Sequence, residues 1–398
     1  AIGWRIQHRR SRRTLLHHLG SIALLSALLA GCATNVSYGV LDTPPTPVSA
    51  IDARLYLIGD AGLDSPGRTA VLAHAQADLA AHAGRNPDVP ALMVFLGDNI
   101  YDAGARVDFR AQDLAILAAQ VRAVAMAPSV RGIFLPGNHD WGKGAPDPEG
   151  RTAIQVQQRW IEEIEGAKNV GFLPNDECPG PARVTVSDDV HVLFIDTEWL
   201  LRLPGGCGGP DIFYSRLTEE LRRLRGDRVV LVAHHPLVTG GPHGGNVGLF
   251  ESVPVIYYLA IKSGLSVQDL ASGRYSAMIR RIRQAIQESG TRPLAMATGH
   301  DHSLQVIRLF ASDLPVYQLV SGSASKSSHV ARLDGTRYAT SRHGYMRVDF
   351  TPGQARLVAF AQVDGAAGHP SEVRAVFTCL LSEGVAETCA EASREDPR

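Results

Sequence analysis

The chain has 398 residues, of which 45% are hydrophobic and 20% are charged, and its formal net charge is -1. This composition excludes an intrinsically disordered chain and suffices for one large domain with short appendages. The lack of a basic excess argues against nucleic acid as a partner.

The first 31 residues have the pattern of an export signal. Five arginines precede an apolar run at 19–30, which is too short to span a bilayer comfortably. Small residues stand directly before Cys32, which resembles the lipobox of bacterial lipoproteins and implies lipidation and cleavage there. Arg12 and Arg13 also resemble a twin-arginine signal, with a Sec signal or an ordinary amphipathic helix as alternatives. Cleavage would leave 34 of the 39 basic and all 40 acidic residues, a formal charge of -6.

These features predict the organisation of the chain. We expect a signal peptide at 1–31, a lipidated cysteine with a Pro-rich tether at 32–50, one large domain at 51–365 and a C-terminal extension at 366–398. The segment 244–275 is Gly-rich at its start and is interpreted as an insertion. Lipidated Cys32 would anchor the protein on the periplasmic or outer-membrane face of a bacterial envelope. The sequence indicates no oligomeric state.

Four further cysteines predict two disulfides, because they form an even set in a chain addressed to an oxidising compartment. Proximity along the chain favours the pairs Cys178–Cys207 and Cys379–Cys389. Other pairings remain open at this stage.

Apolar runs and helical patterns alternate along the large domain. Runs rich in Val, Ile and Leu predict buried strands at 55–58, 92–96, 133–135, 190–195, 229–232 and 294–297. Helices are predicted at 66–83, 112–126, 152–165, 215–225 and 276–289, the first with Ser65 as N-cap before Pro66. Further strands at 316–320, 345–350 and 355–361 suggest a second sheet facing the first. The pattern predicts an α/β layer architecture with sites at the carboxyl ends of strands.

Five short clusters of metal-ligand residues follow one another, most of them where an apolar run ends. They are GDAG at 59–62, GDNIY at 97–101, GNHD at 137–140, HHP at 234–236 and GHDH at 299–302. Hydrolysis of a phosphate ester is accelerated by two cations roughly 3.5–4 Å apart, which acidify a water and clamp the phosphoryl oxygens. Carboxylates and imidazoles from separate loops are suitable ligands for such a pair. The clusters therefore predict a two-metal phosphoesterase site.

In this order the clusters resemble those of calcineurin-like metallophosphoesterases, from about residue 54 to 365. Tyr101, three residues after Asp98, resembles the tyrosine of purple acid phosphatases of the small tartrate-resistant type. The resemblance implies a four-layer α/β/β/α sandwich, with two facing mixed sheets flanked by helices. GDAG has glycine where many relatives of the wider superfamily have a histidine ligand, and Tyr101 would replace that ligand.

The resemblance also implies which side chains bind the two metals. A ferric ion would be bound by Asp60, Asp98, Tyr101 and His302. A second, divalent ion, iron, zinc or manganese, would be bound by Asp98, Asn138, His234 and His300. Asp98 would bridge the two ions.

Two histidines outside the ligand set complete the implied site, namely His139 and His243. Either could protonate the leaving oxygen or hold a phosphate oxygen. The expected reaction is hydrolysis of a phosphate monoester, in which a metal-bound hydroxide attacks phosphorus in line.

Two other functions remain alternatives. A phosphodiesterase or nucleotidase could use the same dimetal site, and a non-catalytic surface-binding lipoprotein could retain the fold. The Ser-rich segment 321–328 is interpreted as a turn, with a phosphate-binding loop as the alternative.

Overall fold

The structure is a computed structural model that describes residues 37–39, 51–124, 127–164, 167–245, 267–365, 371–384 and 388–391. The predicted signal peptide, Cys32 and most of the predicted insertion at 244–275 lie outside the described residues. Within the described part, no helix is both long enough and apolar enough to cross a membrane.

The described strands form two eight-stranded sheets. In chain order the strands are β1 (Ser37–Gly39), β2 (Ala53–Ile58), β3 (Ala91–Phe95), β4 (Val130–Phe134), β5 (Val170–Phe172), β6 (Ala182–Ser187), β7 (Val190–Phe194), β8 (Arg228–Val232), β9 (Ala295–Thr298), β10 (Leu304–Arg308), β11 (Tyr317–Ser321), β12 (Thr336–Thr340), β13 (Gly344–Thr351), β14 (Gln354–Val363), β15 (Glu372–Leu381) and β16 (Thr388–Glu391). Sheet I has the order β16-β15-β14-β13-β2-β3-β4-β5, and sheet II has the order β1-β12-β10-β11-β9-β8-β7-β6.

Both sheets are mixed, and their parallel portions lie at equivalent places. In sheet I, β2, β3, β4 and β5 run parallel, whereas β13 to β16 are antiparallel to their neighbours. In sheet II, the neighbours β7, β8, β9 and β11 run parallel. Since parallel strands end at the same sheet edge, the loops after them cluster there.

The helices lie on the outer faces of the sheets. They are α1 (Pro66–Arg85), α2 (Arg110–Val121), α3 (Asp147–Glu163), α4 (Thr197–Arg202), α5 (Gly209–Arg223) and α6 (Gly273–Ser289). Along β2, Leu55 and Leu57 join the apolar cluster between the sheets, whereas Tyr56 and Ile58 pack with helical residues. Each fully buried aliphatic side chain contributes about 1.5–3 kcal/mol. The expected four-layer α/β/β/α sandwich is confirmed.

Helix α1 shows how local sequence sets an element boundary. The Ser65 hydroxyl accepts a hydrogen bond from the Arg68 backbone N–H at 3.2 Å, and Pro66 occupies the first helical turn, as predicted. Helix α3 begins at Asp147, five residues before the predicted start at 152. Pro148 suits this first turn because its ring presets the helical φ.

Segments predicted as appendages contribute strands to the sheets. Within the predicted tether, β1 pairs with β12 at the edge of sheet II. Within the predicted C-terminal extension, β15 pairs with β14, and β16 pairs with β15. Both predicted disulfides, Cys178–Cys207 and Cys379–Cys389, are present. They are typical of proteins that function outside the reducing cytoplasm.

Candidate metal centre

The five predicted clusters meet at one place, where the carboxyl ends of parallel strands from both sheets face each other. Asp60, Asp98 and Asn138 follow β2, β3 and β4 of sheet I, while His234 follows β8 of sheet II. The loop after β9 carries the two histidines of the GHDH cluster, His300 and His302. The structure thus brings together all seven side chains that the sequence predicts as ligands.

Three of these residues leave their strands through a left-handed backbone conformation. Their φ angles are 58° at Asp60, 54° at Asp98 and 70° at His300. Such a conformation costs roughly 1–3 kcal/mol per residue outside glycine, and it persists where the surrounding structure enforces it. The turn after each strand lies at the sheet edge where the other predicted ligands meet.

Neighbouring glycines make room for these carboxylates. A Cβ at Gly137 would overlap Asp98 Oδ1, and a Cβ at Gly299 would overlap Asp60 Oδ2. The glycines of GNHD and GHDH are therefore required by the close approach of one loop to the carboxylate of another.

Asn138, His234 and His300 form one part of the centre, the histidine half-site. Asn138 Oδ1 lies 3.0 Å from His234 Nε2 and 3.2 Å from His300 Nδ1, and these two ring nitrogens are 3.3 Å apart. All three side chains are buried, with at most 7% of a residue exposed. Three polar atoms thus converge among buried side chains.

The outer nitrogens of both rings are held by backbone carbonyl groups. His234 Nδ1–H donates to the Leu96 carbonyl at 2.8 Å, and His300 Nε2–H donates to the Gln268 carbonyl at 3.0 Å. Burial lowers the pKa of both rings and so favours their neutral form, in which the inner nitrogens carry lone pairs. Three acceptors then face one another, and no proton donor of the described residues reaches them. This arrangement fits a bound cation, which would satisfy all three.

Asp60, Tyr101 and His302 form the second part, the tyrosine half-site. The Tyr101 hydroxyl donates to Asp60 Oδ1 at 3.0 Å and lies 3.2 Å from His302 Nε2. Asp60 Oδ2 accepts from the His300 backbone N–H at 2.9 Å, and the His302 side chain is 24% exposed. A carboxylate, a phenol and an imidazole are thus within reach of one ion at the rim of the centre.

Asp98 lies between the half-sites. Its Oδ1 is 3.4 Å from His234 Nε2 and accepts from the His139 backbone N–H at 3.0 Å. One ligand atom each from Asp60, Asp98 and His234 lies within 4.8 Å of the others. A carboxylate in this position has the two oxygens that a bridge between two cations needs.

The two buried carboxylates respond differently to their surroundings. Burial raises the pKa of Asp98, but His234, His139 and the His139 N–H outweigh it and lower the pKa to about 2. Burial and the charge of Asp98 raise the pKa of Asp60 well above its ordinary value. The donor set is therefore deficient in positive charge, which two metal ions would supply.

The two predicted substrate histidines flank the centre. His139 Nδ1 is bonded to the Asp102 carbonyl, and its Nε2 lies 3.8 Å from Asp98 Oδ2. The His243 ring stacks on the His300 ring at 3.9 Å between centroids, and its Nδ1 lies 2.7 Å from Asp269 Oδ1. Burial lowers the pKa of His243, but Asp269 and Asp301 outweigh it and raise the pKa overall. Both rings are thus held through Nδ1.

Asp140 connects two of the loops. Its carboxylate accepts hydrogen bonds from the backbone N–H groups of Asn99 at 3.0 Å, Ile100 at 3.2 Å and Gly137 at 2.8 Å. Burial and the charge of Asp98 raise its pKa to about 8. The last residue of GNHD therefore holds the loop of Asp98 against the loop of Asn138.

His235 lies beside the histidine half-site but is not suited to bind a metal there. Its Nδ1 is 2.8 Å from Thr197 Oγ1, and its Nε2 is 2.7 Å from Gln268 Oε1. Although His235 lies close enough to His234 and His300 to form a metal-binding group with them, both of its ring nitrogens have protein partners.

The sequence does not predict Gln268, Asp269 and Lys326, which also lie near the centre. Gln268 and Asp269 hold His300 and His243, as described above. Lys326 lies in the Ser-rich segment 321–328, and its Nζ is 3.2 Å from the centre of the Tyr101 ring. No local motif marks the first two, and the Ser-rich composition around Lys326 is the only signal that the third offers.

Comparison with known proteins identifies the family. Residues 53–264, more than half of the chain, match the calcineurin-like phosphoesterases. The chain belongs to this family. It therefore shares with the family the general capacity for phosphoester hydrolysis at a metal site. No curated protein sequence matches this calcineurin-like phosphoesterase.

Solved structures resemble the fold at low identity. The structure of PhoD is 13% identical, with a TM-score of 0.53, over 85% of this chain and 71% of PhoD. GAP50, the anchor in the inner membrane complex of Plasmodium, is 15% identical, with a TM-score of 0.47, over 82% of this chain and 90% of GAP50. The likeness to PhoD shows the shared fold.

Proposed function

We propose that this calcineurin-like phosphoesterase is a dimetal phosphomonoesterase of the purple acid phosphatase type. The observation that carries the proposal is the convergence of Asn138, His234 and His300 as acceptors that no donor among the described residues satisfies. Together with the neighbouring Asp60, Asp98 and Tyr101, these residues provide enough ligands for two cations.

The chemistry of the donors supports a different metal in each half-site. The tyrosine half-site offers a carboxylate, a phenolate on deprotonation and an imidazole, together with Asp98, which suits ferric iron. The histidine half-site offers Asn138, His234 and His300 with Asp98, which suits divalent iron, zinc or manganese. When bound, the metals supply an acidified water as nucleophile and neutralise charge on the phosphoryl oxygens.

The protein's own groups orient the substrate and move the proton. Asp102 fixes the His139 ring through its carbonyl oxygen, and Asp269 fixes the His243 ring through its carboxylate. His139 Nε2 lies 3.8 Å from Asp98 Oδ2, and the His243 ring stacks on the ring of the candidate ligand His300. In the proposed mechanism either His139 or His243 donates a proton to the departing oxygen of the ester, and the other binds a phosphoryl oxygen.

We infer that the protein is located outside the cytoplasm. The lipobox at Cys32 supports attachment to the bacterial cell envelope by a lipid, and the two disulfides are consistent with export. The partner at this location would be a membrane, through Cys32, and the substrate would be a soluble phosphate ester.

The function is tested with the purified protein and two aryl esters that share a leaving group, a phosphate monoester and its methyl diester. We expect faster hydrolysis of the monoester, loss of activity after chelation, and recovery with iron together with zinc or manganese. Faster hydrolysis of the diester would favour the phosphodiesterase alternative. No hydrolysis of either ester by metal-loaded protein would refute the proposal.

The iron assignment is tested by colour, because a tyrosinate bound to ferric iron absorbs visible light. We expect a purple protein that a reductant bleaches, and a colourless Tyr101→Phe variant. A colourless active wild type that contains only zinc or manganese would show that Tyr101 does not bind iron.

A further inference from the structure

Lys326 stands at the tyrosine half-site because both sides of its loop are bonded to that half-site. The Ser325 backbone N–H donates to the Asp60 carbonyl at 3.2 Å. The Ser328 backbone N–H donates to the His302 carbonyl at 2.8 Å. Ser65 Oγ–H, at the start of helix α1, donates to the Ser325 carbonyl at 3.1 Å. The backbone of the Lys326 loop is therefore fixed relative to two predicted metal ligands, Asp60 and His302.

The Lys326 side chain directs its charge over the ring of Tyr101. Nζ lies 3.2 Å from the ring centre, and the residue is half-buried. Burial lowers the pKa of Lys326, and the charge of Lys143 lowers it further. The carboxylates of Asp98, Asp60 and Asp102 raise it, but the pKa is lowered overall. Within the described residues, the ammonium group forms no ion pair or hydrogen bond with a protein acceptor. Its attraction is thus to the aromatic ring and to the field of the metal centre.

Lys143, on the same side of the centre, provides a contrast. It lies close to His139 in sequence, and its Nζ pairs with Asp102 Oδ1 at 3.6 Å. Its side chain is 55% exposed, so its charge is balanced by a carboxylate and by solvent. The charge of Lys326, in contrast, has no paired carboxylate among the described residues and is less exposed to solvent. A partly desolvated cation without a paired anion attracts one.

We propose that the Lys326 ammonium binds a non-bridging phosphoryl oxygen of the substrate and selects phosphomonoester dianions over phosphodiester monoanions. The inference rests on the proposed function and adds a specificity residue to it. A monoester above its second pKa, which is about 6, carries one more negative charge than a diester. A third cation beside the two metals favours the ester with that extra charge.

The test compares Lys326→Met with Lys326→Arg in the metal-loaded protein. Methionine keeps an apolar stem over Tyr101 and removes the charge, whereas arginine keeps the charge. For Lys326→Met we expect kcat/KM to fall about 30-fold for the aryl monoester and less than about threefold for the methyl diester. Arginine should restore most of the loss. Lys143→Met is the matched control and should leave both values near those of the wild type.

A second readout requires no turnover. Calorimetry with inorganic phosphate and metal-loaded protein should show roughly tenfold weaker binding to Lys326→Met than to the wild type. Equal losses for both esters, or unchanged phosphate binding, would overturn the inference. If the wild type cleaves neither ester, the proposed function fails, and phosphate binding still decides whether Lys326 is an anion-binding residue.

Discussion

Two groups of buried charges lie along the same strand, and they differ in how the charges are balanced. Arg54 and Tyr56 belong to β2, and Asp60 lies two residues beyond its end. The first two take part in an arginine network, defined as Arg54, Tyr56, Asp78, Arg347 and Asp349. Asp60 belongs to the candidate metal centre.

In the arginine network each carboxylate has a cationic partner. Arg54 Nε–H donates to Asp349 Oδ1 at 2.6 Å, and Arg347 Nη2–H donates to Asp349 Oδ2 at 2.9 Å. Arg347 Nη1–H also donates to both oxygens of Asp78, at 2.9 and 2.7 Å, and the Tyr56 hydroxyl donates to Asp78 Oδ2 at 2.7 Å. The charge of each carboxylate in this network is thus balanced by a guanidinium group of the protein.

In the part of the chain that the structure describes, no arginine pairs with Asp60 or Asp98 at the metal centre. Burial raises the pKa of both Asp60 and Asp78, but the Arg347 charge and hydrogen bonds outweigh it at Asp78 and lower that pKa. The charge of Asp98 adds to burial at Asp60 instead. In the arginine network the buried carboxylates thus stabilise the fold through their arginine partners, whereas Asp60 and Asp98 leave negative charge for an external cation.

The largest predicted effect tests this contrast at Asp60. Asp60→Asn should reduce activity about 10³-fold, because it removes a charged metal ligand. In chelator, however, the variant should unfold at a higher temperature than the wild type, since it lacks an uncompensated buried charge. When metals are added, the wild type should instead unfold at a higher temperature than Asp60→Asn. Thermal unfolding with and without metal measures the reversal.

Asp64→Asn is the matched control, because Asp64 lies on the same loop with its side chain 79% exposed. It should change neither activity nor the response of the midpoint to metal. If Asp60→Asn were less stable than the wild type in chelator too, the contrast between the two charge groups would be wrong.

Much of the metal centre could be predicted because residue type and strand ends encode it. Aspartate, asparagine and histidine after apolar runs mark loops at one sheet edge, and the parallel strands β2, β3 and β4 bring three of those loops together. The α/β architecture could be predicted for the same reason, since buried parallel strands are continuous apolar runs.

The remaining features depend on information that local sequence does not contain. Gln268 holds His300 through a backbone carbonyl, a group that every residue has. Lys326 reaches Tyr101 only through a loop bonded to residues far away in the chain. In strand β15 buried residues alternate mostly with partly exposed ones, which is a weaker signal than an apolar run, and the sequence predicts an extension there.

A smaller effect is predicted where a buried ion pair is broken in the arginine network. Asp349→Asn should cost about 3–5 kcal/mol in unfolding free energy, because it leaves Arg54 buried without its anion. Activity per folded molecule should not change, and the cost should be the same with and without metal. Urea unfolding under both conditions measures it. A cost that depends on metal would show that the two charge groups are coupled.

The smallest predicted effect is the pH dependence of the Asp78 contribution. Asp78→Asn should cost about 1–3 kcal/mol at pH 7, because the Arg347 guanidinium and the Tyr56 hydroxyl lose a charged acceptor. The exposed Asp88, in the turn after helix α1, provides the control variant Asp88→Asn. Urea unfolding of the wild type, Asp78→Asn and Asp88→Asn is measured at each pH. The measurements are made in chelator, so that metal release at acid pH does not contribute.

The direction of the pH effect follows from the lowered pKa of Asp78. The ordinary value is 3.8, so above it the carboxylate is charged in both states and the ion pair stabilises the fold in full. As the pH falls through the lower folded-state pKa, the carboxylate takes up a proton and the stabilisation is lost. The difference in unfolding free energy between wild type and Asp78→Asn should therefore be constant above about pH 5. It should decrease as the pH falls below 3.8. A difference that increased in acid would mean that Asp78, like Asp60, is an uncompensated carboxylate.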